Sequence, residues 1–123
     1  MAYTFSYPWR KNPRLMALFY AGAVCVEEIN DSLQEAQSLL DRAQMPLHLL
    51  IDFSEVVEID LAVRDAIIGH SFKNHDRLGY CVFTKPNAFL HFVAQVLRKH
   101  DVQIKYVEDL EDAWGFFNHM GLC

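Results

Sequence analysis

The sequence is poor in the residue patterns that announce a chemistry. Cysteine occurs three times, at Cys25, Cys81 and Cys123, widely separated, odd in number and without a C-x-x-C pair. That usage argues against a disulfide framework or a zinc ribbon and fits reduced thiols, with Cys25 and Cys81 expected as small core residues. No apolar run approaches the roughly 20 residues that cross a bilayer, so no transmembrane segment is expected. The stretch from Met1 to Arg14 lacks the basic-then-apolar order of a signal peptide, and a cytoplasmic location is the expectation. The glycines form neither a G-x-x-x-x-G-K-[ST] nor a G-x-G-x-x-G phosphate loop, and no G-x-S-x-G elbow presents a nucleophile. Six histidines are present, but no HExxH pattern, and His70 and His75 lie about 140° apart on a helix, so they cannot chelate one ion together. His48, His91, His100 and His119 are isolated. Neither metal nor cofactor is expected.

An excess of positive charge is also missing. Eleven basic against sixteen acidic residues leave a formal charge of -5, which repels a phosphate backbone, so no nucleic acid partner is expected. The small cluster Arg10, Lys11 and Arg14 flanks Asn12-Pro13, a turn dipeptide, and reads as a solvated hairpin turn.

What the chain does hold is apolar sequence in short, punctuated blocks. With 123 residues, 52% of them hydrophobic and 22% charged, it has room for one core, and residues 1–123 are read as a single domain. The organising stretch is Leu47 to Ile68, LHLLIDFSEVVEIDLAVRDAII. Leu47 to Phe53 is apolar on both faces apart from His48 and Asp52, the pattern of a strand in the buried middle of a parallel sheet. It is followed by an acidic loop, Asp52 to Ile59, and by Asp60 as the N-cap of a second helix from about Leu61 to Arg77, which buries Val63, Ile67, Ile68 and Phe72 and stops at Gly79, a left-handed terminator.

The rest arranges itself around that unit. Tyr3 to Trp9 and Leu15 to Tyr20 form a β-hairpin, Ala21-Gly22-Ala23 breaks the second strand, and Val24 to Val26 pairs briefly. Ile29, Leu33, Ala36, Leu40 and Ala43 recur every three or four residues on one face of a first helix, ended by Met45-Pro46. Tyr80 to Phe83 is a strand, Asn87 caps a third helix over Ala88 to His100, Gln103 to Val107 is the last strand, and Asp109 to Met120 the last helix. Right-handed crossovers then set the three later strands in parallel.

The spacing Asp52-Phe53-Ser54-Glu55-Val56-Val57-Glu58-Ile59-Asp60 resembles the central strand and loop of STAS domains, the fold of the anti-sigma factor antagonists. The order of elements is similar to the SpoIIAA-like branch grouped with STAS and the lipid-binding CRAL-TRIO folds. The resemblance implies a single-domain α/β fold, an N-terminal β-hairpin followed by alternating helices and strands, with a mixed, mostly parallel sheet of about five strands and four helices. It also implies a docking face around the acidic loop and the start of the second helix. In the antagonists the second Asp precedes two serines and a glycine, one serine being the phosphorylated residue. Here Asp60 precedes Leu61, Ala62 and Val63, and neither leucine nor alanine offers a hydroxyl, so the phosphoswitch is absent at that position.

Three functions follow as expectations. The first is a non-enzymatic interaction and regulatory module in signalling, binding a protein partner through Asp52, Ser54, Glu55, Glu58, Asp60, Leu61, Ala62, Arg64 and Thr84, since ligands and partners of open α/β sheets are met outside the carboxyl ends of the strands. Asp60 and Arg64 are placed for an i,i+4 ion pair. The second is a carrier or sensor of a small apolar ligand or lipid, suggested by aromatic excess on the last two helices, with Phe89, Phe92, Val93, Trp114 and Phe117 lining its pocket; the same surplus could serve a homodimer face. The third is an enzyme using Asp52, Asp60 and Asp65 as paired carboxylates, for which strand ending, helix capping and surface ion pairing already account.

Overall fold

The apolar run at Leu47 does build the middle of the sheet. The computed structural model describes residues 3–85 and 87–121, so Cys123 lies outside the described residues. In chain order the elements are β1 (Tyr3–Ser6), β2 (Leu15–Val24), α1 (Val26–Arg42), β3 (Leu47–Ile59), α2 (Leu61–Gly69), a 3-10 turn (Ser71–Asn74), β4 (Leu78–Thr84), α3 (Ala88–Arg98), β5 (Gln103–Val107) and α4 (Leu110–His119). The five strands lie in sequence order. β1 pairs antiparallel with β2, and β2 to β5 are parallel.

Alternation along β3 divides its side chains between two cores. Leu47, Leu49, Ile51 and Phe53 join Met16, Leu18, Cys81 and Phe83 beneath α1, α2 and α3. Leu50 points the other way, with Leu15, Ala17 and Val82, against Ala113 and Phe117 of α4. The sheet is thus covered by three helices on one face and one on the other, and β3 is sealed on both, as a strand without polar alternation requires. On the α4 face Trp9 is buried edge-to-face against Trp114 and Phe117, with ring centroids 6.0 and 6.2 Å apart. Arg10 lies over the Trp9 and Trp114 rings and pairs with Glu111, so this part of the hairpin turn is fastened to α4 rather than merely solvated.

Several boundaries differ from the sequence expectation. β2 does not break at Ala21-Gly22-Ala23; it continues to Val24 through two register shifts, with Gly22 at φ +68, a left-handed value glycine adopts without a Cβ penalty. The stretch Ser54 to Ile59 is not a loop, because Ala21 to Val24 of β2 pair with Glu55 to Ile59 and keep β3 extended. α2 ends at Gly69, not Arg77, and His70 is extended. A helix continued past Ile67 would present Ser71, not Phe72, four residues on; the interruption lets Phe72 reach the core while Ser71 stays outside. Ile68 is only half-buried, as is Cys25, whose thiol donates to the Glu28 carboxylate at 3.2 Å. Cys81 is buried as expected, and burial pushes its thiol up to about 12.

Gly79 is required for closeness, not for a left-handed turn. It lies within β4 and has no positive φ; a Cβ there would collide with Nδ1 and Cε1 of His48. The His48 ring fills that space from β3, buried, with Nδ1 accepting from the Tyr80 amide at 3.0 Å. An accepting Nδ1 fixes the neutral ring with its proton on Nε2. Burial first, and the charge of Arg14 second, push the ring from 6.5 down to about 4. Two outcomes follow. Gly79→Ala costs about 1 to 3 kcal/mol in urea unfolding by overpacking this contact, whereas Gly115→Ala in α4, where a Cβ meets nothing within 4 Å, is neutral or gains up to about 1 kcal/mol. Because the unfolded histidine binds its proton more readily than the folded one, His48 contributes stability in full above pH 6.5 and loses it as pH falls toward about 4. Unfolding titrations across this window show stability rising with pH, with a slope smaller by up to about one proton in His48→Gln. His70, also lowered by burial and Lys73, supplies part of the slope that remains.

Candidate functional site

β4 ends where Thr84 pairs with Asp52, but β3 continues to Ile59 beside β2. The carboxyl edge of the sheet therefore carries a two-stranded arm, Ala21 to Val24 with Glu55 to Ile59, projecting past β4 and β5. At its root Asp52 is buried, accepting through one carboxylate oxygen from the Ser54 amide at 3.0 Å and from the Thr84 hydroxyl. These bonds satisfy the carboxylate where the strand passes out of the core. Thr84 is equally buried, so of the nine residues expected to face a partner, Asp52 and Thr84 form an internal clasp instead. An open cleft of about 350 Å³ lies beside it, lined by Phe19, Tyr20, Asp52, Ser54, Glu55 and Leu110 among others. Phe19 and Leu110 come from distant segments that no local motif marks.

The other seven expected residues line the arm and the helix start. Ser54, Glu55, Glu58, Asp60, Leu61 and Ala62 are exposed, and Arg64 is half-buried. Asp60 caps α2 as expected, its side chain accepting from the Ala62 amide at 2.9 Å. The expected Asp60 to Arg64 ion pair is replaced: Arg64 Nε faces Asp65 at 3.5 Å, and its guanidinium lies 4.9 Å from the Phe92 ring centroid. Asp52, Asp60 and Asp65 thus have separate roles in clasp, cap and ion pair.

Large apolar side chains are also exposed on the arm, at the start of α2 and on α3. Val57 is the unpaired residue of a register shift, since Gly22 pairs with Val56 and Ala23 with Glu58, and it is 87% exposed. Leu61, the first residue of α2, is 71% exposed, and Phe92 on α3 is 45% exposed. The bulge was invisible in the sequence, because Val56-Val57 reads as one apolar pair.

The five residues expected to line an apolar pocket do not converge. Val93 is fully buried beneath α1, α2 and α3, and Phe89 packs at the edge of that core, its ring stacked 6.1 Å from Phe53. Trp114 and Phe117 belong to the core on the opposite face of the sheet. Among the described residues no group of three or more His, Cys, Asp or Glu is placed to hold a metal ion, and no helix is long and apolar enough to cross a membrane. His70 caps the Phe72 amide, and His75 meets Asp41 at 2.9 Å.

No family model and no curated protein matches the sequence. Among solved structures, the chain is similar to an uncharacterised protein of the DUF3478 family from Shewanella loihica PV-4, described as having a SpoIIAA-like fold; identity is 17%, the TM-score is 0.67, and the match covers 99% of this chain and 93% of the other. With the hairpin, the parallel β2 to β5 order and the four helices all in place, the chain has the SpoIIAA-like α/β fold.

Proposed function

We propose that the protein is a non-enzymatic interaction module that docks a partner protein through the β3 arm and the first turn of α2. The observation that carries this is the exposure of Val57 on the arm and of Leu61, four residues on, in the first turn of α2, beside the solvent-facing carboxylates Glu55 and Glu58. Neighbouring exposed apolar residues rimmed by charge are a common signature of an interaction surface. Leu61 also occupies the position where the resemblance to the antagonists implies a serine, so docking here is governed by apolar contact and not by phosphate at that residue.

The carrier reading draws no support from the placement of its residues, since Val93 and Phe117 complete separate cores. An acid/base reading is no better served, because the Asp52 oxygen that accepts from both Ser54 and Thr84 is engaged in holding the strand end.

The test is affinity capture from the source cells with the wild type and with Val57→Asp and Leu61→Asp. Both residues are exposed, so both variants keep the wild-type melting temperature to within a few degrees. A partner retained by the wild type and lost by both variants supports the reading; a partner retained equally by all three, or none retained by any, overturns it.

A further inference from the structure

The arm has a free edge as well as an exposed surface. β4 pairs with β3 from Leu47 to Asp52, and beyond that point β3 is paired on one side only, by β2. Among the described residues no strand takes the other side of Ser54 to Ile59. At Thr84 the β4 chain departs for the cap of α3, where the Asn87 side chain accepts from the Leu90 amide. In line with β4 this leaves a slot that no described strand fills, about 20 Å long at the rise of a strand, along which the Ser54 amide is already held by Asp52.

From this, and resting on the docking reading above, we infer that the free edge of β3 takes up an extended, basic segment of a partner protein as an added strand. Main-chain hydrogen bonds from an unpaired edge supply affinity for an extended chain of any sequence, and the flanking side chains select which one. Here the selection is electrostatic and apolar. Glu55 and Glu58 are exposed on the arm and form no ion pair among the described residues, so lysine or arginine at alternate positions of the incoming strand meets opposite charge. Lys85, exposed where β4 ends, stands at the inner end of the slot and directs the basic residues outward, toward the glutamates. Val57, thrust out by its bulge, and Leu61 offer apolar contact for the residues between.

The same features disfavour other occupants. A second copy pairing arm to arm brings Glu55 and Glu58 against their own equivalents, and nucleic acid meets the same negative charge. Acidic side chains and bulges are common guards against edge-to-edge association, and a guard of one sign leaves the edge open to a segment of the other.

The probe is a short fluorescent peptide alternating Lys and Val, compared with the same peptide N-methylated on alternate amides along one edge, and with a Glu-Val counterpart. Anisotropy titrations and amide hydrogen exchange are read together. The expected result is binding of the Lys-Val peptide, a loss of about tenfold or more in affinity on N-methylation, equal to about 1.4 kcal/mol, no binding of the Glu-Val peptide, and new protection in residues 55–59. The double variant E55K/E58K reverses the preference. Failure of the Lys-Val peptide to bind, binding insensitive to N-methylation, or protection of these amides by self-association without peptide overturns strand addition. A partner that Leu61→Asp releases, with peptide binding insensitive to N-methylation, leaves the docking reading standing and removes this one.

Discussion

The structure depends on sealing one strand on both faces. Leu47 to Phe53 offers no side that tolerates water, so its burial needs helices above and below, and each fully removed leucine or isoleucine is worth about 1.5 to 3 kcal/mol. Leu49 and Leu50 are both completely buried, one in each core. Three helices supply one cover, and α4, helped by Trp9 of the hairpin turn, supplies the other. Apart from the exposed Phe92, the aromatic surplus on α3 and α4 is consumed by this demand from two directions.

That requirement ends abruptly at Asp52. Inside it, Asp52 accepts from Thr84 and Ser54 and His48 Nδ1 accepts from the Tyr80 amide, while His48 Nε2 is buried with no hydrogen-bond partner among the described residues. A buried donor or acceptor left unmatched costs roughly 1 to 3 kcal/mol, which is why the polar residues of so apolar a strand are locked to its neighbours. Outside it, β3 has β2 as its one strand partner among the described residues, keeps Val56 and Ile59 against the three-helix core, and carries Glu55, Val57 and Glu58 into solvent. The functional proposal lives on this contrast: a two-sided core presents a one-sided arm, and within β3 the main-chain groups lose their second strand only where β4 has ended.

The element order was legible because each helix announces its buried stripe and two announce their caps: Asp60 and Asn87 cap as expected, whereas Asp109, read as the first residue of the last helix, is its cap, and Cys25 precedes α1 with no side-chain cap bond. Three things were not legible, for physical reasons. Helical periodicity identifies the buried side of a helix but not which face of the sheet it covers, so Phe89 and Trp114 were placed together when the sheet separates them. The acidic stretch after Phe53 lacks strand alternation, and only pairing with a segment more than thirty residues earlier keeps it extended. Gly79 was read from its local neighbours as a helix stop, whereas the reason for a glycine there is a histidine ring arriving from another strand. Of the nine residues expected to face a partner, those on the arm are exposed, as a position beyond a strand end suggests. Asp52 and Thr84 were misplaced to the surface because their mutual hydrogen bond is a tertiary contact.

The central claim, that β3 is a sealed strand with an open-edged arm, is tested most directly by residue-resolved amide hydrogen exchange on the free protein. The account predicts that the amides of Leu49 to Ile51 exchange only through global unfolding, while protection between Glu55 and Ile59 is interrupted, with amides facing the vacant side exchanging orders of magnitude faster than those bonded to β2. Uniform, global-unfolding protection from Leu47 through Ile59 would contradict it, because it would mean that the edge beyond Thr84 is already occupied.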